Sequence, residues 1–530
     1  MYTRISKALR LLLAGSLIML SLASCDGQGT STSSDAQSAD QTTTTAGEGT
    51  TTTGDTNSTG DASSNEGDTT TSGTGTGTSG QASASKTNDK TPVSSTTTTK
   101  KSTTTTKKPT TTNTDNFKGT TYYVSSSTGD DWAEGDSQSE PVKSLAVAST
   151  LGEPGDRVLF KRGDVWRGDI LTTRDGVTYG AYSTGDAPKL YGSSQNYSVK
   201  GKWVQTSNSR VYYFDGAIGK DVGGVIFNNG SAHGDRKDSQ SALLADRQYY
   251  YDHSAKRLYL CSRKGNPADV WSSIELNERF NLISLKGNNV TIQDLTVRYC
   301  DYGIVGGGNK NITIKNCDFA WIGGCLHSYS STTRYGNAIE LWGGVDGLTV
   351  DSCNFSQIFD TAITSQYSGN TKAVIRNVTI SNNKVDKCHW SMEFWLDCKD
   401  SAGNYIGVID GIKIINNKFT NAGGGWSANQ RWGGGGLSSA AHIETFGNTH
   451  QIPTISDIVI KGNVFDTSAG ALLGLRWNNY TPTLEGNTYI QGKGKSFGQI
   501  NGKEGTWKFD DAVAGKIKKY DSTAKVEFSK

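Results

Sequence analysis

The sequence has almost no net charge, little proline, few helical patterns and no zinc-type cysteine spacing. Its 53 Lys and Arg stand against 51 Asp and Glu, a formal charge of +2. That balance gives no global attraction for a polyanion, so nucleic acid is not an expected partner. Eight Cys are present, at positions 25, 261, 300, 317, 325, 353, 388 and 398. None falls in a CxxC or CxxxxH arrangement, which argues against a structural zinc site. With Cys25 set aside the number is odd, no pair is dictated, and most are expected as small buried residues. The apolar run Leu11 to Leu22 is too short for a comfortable membrane span.

What is there begins with an export signal. Arg4, Lys7 and Arg10 precede the apolar run, and Leu22-Ala23-Ser24-Cys25 closes it. This resembles the bacterial lipoprotein lipobox. The resemblance implies that Cys25, the last residue of the 1–25 signal segment, becomes the lipidated first residue after cleavage. The body would then sit at the extracellular face of the cell membrane, held by acyl chains. A plain secretory signal with a chance Cys is the alternative. Residues 26–115 are Thr, Ser, Gly and Asp, later Thr and Lys, as in TSSDAQSADQTTTTAGEG and SSTTTTKKSTTTTKKPTTT. So little there is apolar that a disordered linker is expected. About 90 residues of flexible coil span roughly 50 Å, enough to act as a spacer.

From 116 to 530 the chain is rich in Gly, Asn, Thr, Val and Ile, with short β-like runs, and it repeats. ITIKNCDF (312–319), LTVDSCNF (348–355), VTISNNKV (378–385), IKIINNKF (412–419) and IVIKGNVF (458–465) align, with a looser copy, VTIQDLTV (290–297). Each is an alternating strand, a polar turn and a bulky apolar residue. One coil of this kind cannot bury its apolar side chains, but stacked coils make a continuous core. Equivalent positions then form columns about 4.8 Å apart per coil. Asn316, Asn382 and Asn416 are expected to form an amide ladder. Phe319, Phe355, Val385, Phe419 and Phe465 are expected to form an apolar column. Residues 193–280, between the early and regular coils, read as a β-rich elaboration with hairpins.

This repeat resembles the right-handed parallel β-helix proteins of the pectate-lyase-like superfamily. TYYVSSSTGDDWAEGDSQSEPVKSLAVAS (121–149), GDRVLFKRGDVWRGDI (155–170) and GVTYGAYSTGDAPKLYG (176–192) are similar to that group's opening coils. The resemblance implies an all-β solenoid and a capping helix around Val142 to Ser149. It also implies carbohydrate-active chemistry, without deciding which, since the fold hosts hydrolases, lyases, esterases and binding proteins.

A second strand follows each turn: NAIELWGG (337–344), TAITSQYS (361–368), SMEFWLDC (391–398), AHIETFGN (441–448) and ALLGLRWN (471–478). Aligned on the inward residues Ile339, Ile363, Met392, Ile443 and Leu473, the next position faces outward. It reads Glu340, Thr364, Glu393, Glu444 and Gly474. Two residues on come Trp342, Gln366, Trp395, Phe446 and Arg476. Stacked carboxylates repel, so a raised pKa or an intervening cation is expected. Paired acids about 5–10 Å apart, beside flat rings, suit glycoside hydrolysis.

Glu393 and Glu444, with Glu340 third, are therefore the candidate catalytic residues. Trp342, Trp395, Arg476, His442 and Trp432 are the candidate substrate contacts. The flanking loops add His327, Arg334, Tyr335, Trp426 and Arg431, and Asp360, His389 and Asp397 lie near. A solvated face without chemistry and a Ca²⁺ site both remain open for the Glu column. The expectation is a monomeric glycoside hydrolase acting on poly- or oligosaccharide, with no cofactor. The alternatives are a Ca²⁺-dependent uronate lyase and a non-catalytic glycan-binding protein.

Overall fold

The structure, a computed structural model, describes residues 117–328, 332–428, 430–431, 437–445, 454–478 and 480–529. The expected export signal with Cys25, the expected linker, Trp432 and Phe446 lie outside them.

The repeating strands wind into a right-handed parallel β-helix with three long sheets. The first has ten strands and collects the opening strand of each repeat. Asn309–Lys315, Gly344–Asp351, Val374–Ser381, Val408–Ile415 and Thr454–Lys461 pair in parallel, with Ile314, Val350, Ile380, Ile414 and Ile460 in one column. The second also has ten. It carries the bulky residue after the turn, so Phe319, Phe355, Val385, Phe419, Phe465 and Tyr489 pair in order. Their rings stack inside the coil, Phe319 on Phe355 at 4.9 Å and Phe419 on Phe465 at 5.3 Å between centroids. The third has twelve strands and includes Ile339–Trp342, Thr361–Gly369, Trp390–Cys398, Ala441–Thr445 and Ala471–Leu475.

The turn between the first two sheets corrects one expectation. Asn316, Ser352, Asn382, Asn416 and Gly462 share a column, and each has φ between 51° and 66°. They are there because Asn and Gly tolerate the left-handed conformation. The buried amide ladder runs one residue later. Asn383 donates through its backbone N–H and its Nδ2 to Asn417 Oδ1, both at 2.9 Å. Asn417 does the same to Asn463, at 2.9 and 3.0 Å, and Asn463 to Asn487, at 3.0 and 3.1 Å. Asp521 ends the ladder by accepting from Asn487. At the other end Cys317 and Cys353 occupy the equivalent inner positions, and Cys353 N–H donates to Asn383 Oδ1 at 2.8 Å. All seven cysteines of the described residues are buried free thiols.

A one-turn helix, Leu145–Ala148, closes the N-terminal end of the core. Ser144 caps it, and Leu145, Val147 and Ala148 are buried. That is shorter than the expected Val142 to Ser149.

Between the early and regular coils, Trp203–Gln205, Val211–Phe214, Asp235–Arg236, Gln248–Asp252 and Arg257–Cys261 form a five-stranded sheet. It has its own core of Trp203, Phe214, Tyr249 and Leu258 among others. Val222–Phe227 pairs antiparallel with Ile274–Ser284, joining this part to the third sheet.

Asn417 also donates Nδ2 to Ile380 O at 2.8 Å. Asn417→Ala therefore strands a buried N–H and a buried carbonyl at once. A loss of about 3 kcal/mol is expected, measured by urea denaturation, with far-UV circular dichroism showing the native strand signal.

Candidate active site

Coil-to-coil register sets the candidate acids. Glu340 pairs with Thr364, Thr364 with Glu393, Glu393 with Glu444, and Glu444 with Gly474. Glu393 and Glu444 thus occupy directly opposed positions on neighbouring parallel strands, about 4.8 Å apart at the backbone. Glu340 is two coils from Glu393. Trp342, Gln366 and Trp395 pair in the same order two residues further along.

These side chains leave the core yet are not washed by solvent. Glu393 is 5% exposed and Glu444 2%, while Glu340 is half-buried. Glu340 Oε2 accepts from Asn337 Nδ2 at 2.8 Å. Glu393 Oε2 accepts from the hydroxyls of Thr361 and Thr364 at 3.4 and 3.3 Å. Glu444 Oε1 lies 2.6 Å from Arg476 Nε. Arg476 is thus the ion-pair partner of a candidate catalytic acid. Gly474 makes the space that Glu444 fills, since a Cβ there would stand 2.2 Å from Glu444 Oε2.

A fourth carboxylate lies near the column. Asp360, just before Thr361, is buried and lies 2.8 Å from Arg431 Nη1, which is equally buried. The Arg431 guanidinium rests 4.4 Å over the Trp390 ring, with the Tyr335 ring at 5.8 Å. The coil before Glu340 adds Asp301 and Tyr302, both singled out here only by the structure. Asp301 accepts from Cys325 N–H at 3.2 Å. The sequence signal for this coil was DYGIVGG, which matches NAIELWGG in pattern, with Val305 opposite Glu340.

Electrostatics follow from burial. Loss of water pushes Glu393 up to about 8, the Asp360 charge adds to it, Arg431 opposes, and Glu444 pushes further. Burial lifts Glu340 to about 7 although Asn337 bonds its charged form, with Asp360 adding. Glu444 reaches about 7, burial outweighing Arg476. Burial also takes Asp301 to about 7 and raises Asp360 against the pull of Arg431. Tyr302 is held well above its ordinary range by burial and by the nearby Glu340, Asp301 and Asp360. Glu340 and Glu393 both feel the Asp360 charge and Glu393 also feels Glu444, and raised carboxyls grouped in this way are able both to give and to take a proton. Among the described residues no group of three or more His, Cys, Asp or Glu is arranged to hold a metal ion.

His442 does not stand with the carboxylates. Pairing along the third sheet skips the positions of Ala362, Ser391, His442 and Leu472. At this break the side chain turns inward instead of alternating outward. His442 is wholly buried, lies 6.0 Å from the Phe419 ring and 6.1 Å from Phe465, and meets Ser391 Oγ at 3.2 Å through Nδ1. Burial depresses it to about 3, so it is a neutral core residue and no substrate contact. His389 is likewise buried and neutral, with Nε2 3.0 Å from Ser439 Oγ.

The covering comes from distant parts of the chain. Arg334 is wholly buried. It donates to the carbonyls of Gly324 and Gly223, both at 2.6 Å, and of Gln430 at 3.1 Å, so it is a clasp and leaves no donor face for a sugar. Asp221 binds Arg236 through both oxygens at 2.7 and 2.9 Å and accepts from Leu326 N–H at 2.8 Å. Gln430 receives Arg236 N–H at 3.1 Å and donates to Gly234 O at 3.2 Å. The 193–280 region thereby locks to Gly324, Leu326 and Arg334 on one side and to Gln430 on the other. Trp426 is buried there against Phe359.

No protein-family model matches the sequence. A stretch of the chain is 38% identical over 110 residues to lacto-N-biosidase of Bifidobacterium longum subsp. longum, covering 18% of this chain and 7% of that enzyme. The chain therefore spans a small part of the relative it matches. Similar solved structures include a glycoside hydrolase at 9% identity and TM-score 0.46, covering 77% of this chain and 96% of that one. The lacto-N-biosidase of Eubacterium ramulus, of family GH136, is 12% identical with TM-score 0.33, covering 77% and 68%. At these identities the likeness is one of fold.

The raised acids have a consequence for stability. A carboxyl whose folded pKa exceeds its unfolded value keeps its proton longer when folded, so stability falls as pH rises toward the folded value. The buried histidines act the other way, but only below their unfolded value near 6.5. Between pH 6.5 and 8 the acids alone remain, and the melting temperature is expected to fall. Glu393→Gln should flatten that fall, matching the unsubstituted protein at pH 4 and exceeding it at pH 8 in scanning calorimetry.

Proposed function

We propose that the protein is a glycoside hydrolase acting on extracellular poly- or oligosaccharide. The observation that carries this reading is the direct pairing of Glu393 with Glu444 on adjacent coils, both buried and both raised toward neutrality. Glu393 is the proton donor. Its carboxyl holds a proton at neutral pH and passes it to the glycosidic oxygen as the C–O bond breaks. Glu444 is the base or nucleophile. Arg476 stabilises its charged form, which either attacks the anomeric carbon or takes a proton from the attacking water. Glu340 and Asp360 set the field around the pair, and Arg431 offsets Asp360. Asp360 and Glu444 each have a guanidinium partner, so this reading needs no calcium. We further infer that the enzyme works as a monomer on the extracellular face of the cell membrane, tethered through Cys25 by the long Thr/Ser linker.

The test is incubation of the purified protein with a panel of neutral and uronic glycans, with and without EDTA. New reducing ends without unsaturated uronates are expected, unaffected by the chelator. Glu393→Gln and Glu444→Gln should each lower kcat at least about a hundredfold. Unsaturated-uronate absorbance that disappears with EDTA would show a lyase instead, and glycan retention without any turnover would show a binding protein.

A further inference from the structure

Two residues beyond the carboxylates, on the same strands, lies a different surface. Trp342 is 38% exposed, unusual for so large a ring in this domain. Its ring centroid is 6.0 Å from that of Trp395, with planes at 86°, and 6.1 Å from Tyr367 at 68°. Gln366 pairs with both tryptophan positions and so stands between them. The two indoles make a corner: one presents a flat apolar face while the other closes the side. Gln366 places an amide, with both donor and acceptor atoms, at the same corner.

Geometry limits what can fill it. Two strand residues advance about 6.6 Å, a step of sugar-ring size from the carboxylate column. Perpendicular indoles cannot form one continuous stacking floor along the solenoid axis. They can hold a single ring, face on one and edge on the other. The neighbouring column is acidic, and both of its guanidinium groups are committed to Asp360 and Glu444, so a charged uronate gains nothing from it.

We propose that Trp342, Gln366 and Trp395 form a subsite for one uncharged pyranose, so that the glycan crosses the third sheet along the strand direction. The hydrolytic reading orients this inference, but binding at the corner does not require turnover.

The experiment is titration of the full chain carrying Glu393→Gln with neutral oligosaccharides of two to six units from the xylan, glucan and galactan series, and with oligogalacturonides. Tryptophan fluorescence and calorimetry are the readouts. At least one neutral series is expected to bind saturably. Trp342→Ala, Trp395→Ala and Gln366→Leu should each weaken binding about tenfold. Trp132→Ala, at an exposed indole of the N-terminal turn, should leave it unchanged. Equal affinity in all four variants would overturn the subsite, as would tighter binding of the oligogalacturonides or no saturable binding of any neutral series. Saturable binding that depends on the corner, from a protein that hydrolyses nothing before the Glu393 substitution, would sink the enzymatic reading and leave the subsite standing.

Discussion

Parallel stacking in register is the constraint on which the rest depends. In a solenoid of parallel coils, each side chain's nearest neighbours are the same positions one coil before and after. Inside, that rule is favourable: rings fall on rings, and amides pass hydrogen bonds from Asn383 through Asn417 and Asn463 to Asn487. Each rung satisfies a buried backbone N–H and a buried carbonyl that would otherwise cost about 1–3 kcal/mol apiece. The ladder therefore fixes register as well as stability. A one-residue slip would place the Asn column in solvent and orphan every rung.

Outside the core the same rule becomes a source of tension. Glu393 and Glu444 are brought together because Met392 and Ile443 must stack, and neither carboxylate can move a coil away. The protein relieves the repulsion in two ways. Arg476 and Arg431 enter from the end of the next strand and from a loop, each at one carboxylate. The remaining repulsion is met by retained protons, most of all on Glu393, which has hydroxyl neighbours and no cation of its own. The proposed acid and base roles divide along that line, since a carboxylate beside a guanidinium keeps its charge more readily than one beside hydroxyls.

Much of this was legible in the sequence, because period and alternation are sequence properties. The repeat ITIKNCDF to IVIKGNVF gives the coils, and alignment on Ile339, Met392 and Ile443 gives the register that opposes Glu393 to Glu444. Two features defeated the alternation rule. His442 turns inward because coil pairing skips its position, which no pattern of apolar residues reveals. The amide ladder sits at Asn383 and Asn417, not at Asn382 and Asn416, because NN is ambiguous until one of the pair is known to take positive φ. Burial of the acids was not legible at all. At Asp360 it comes with Arg431, from a loop far from the column in sequence.

Burial explains why an outward-facing strand can hold groups titrating near neutrality. A Glu on a bare β-helix face would keep an ordinary carboxylate pKa, and a column of them would be only a charged surface. Here Arg334 bridges Gly223, Gly324 and Gln430, so three distant segments meet beside the Phe359 ring that precedes Asp360. Gly223 and Gly224 allow the close approach, since a Cβ at either would meet the Cys325 backbone or the Trp426 ring within 2.6 Å. The clasp does not touch the proposed reacting positions, but Arg431, the residue after Gln430, reaches the acids at Asp360. The clasp thereby fixes the segment that delivers this guanidinium, while the amide ladder holds the register of the coils.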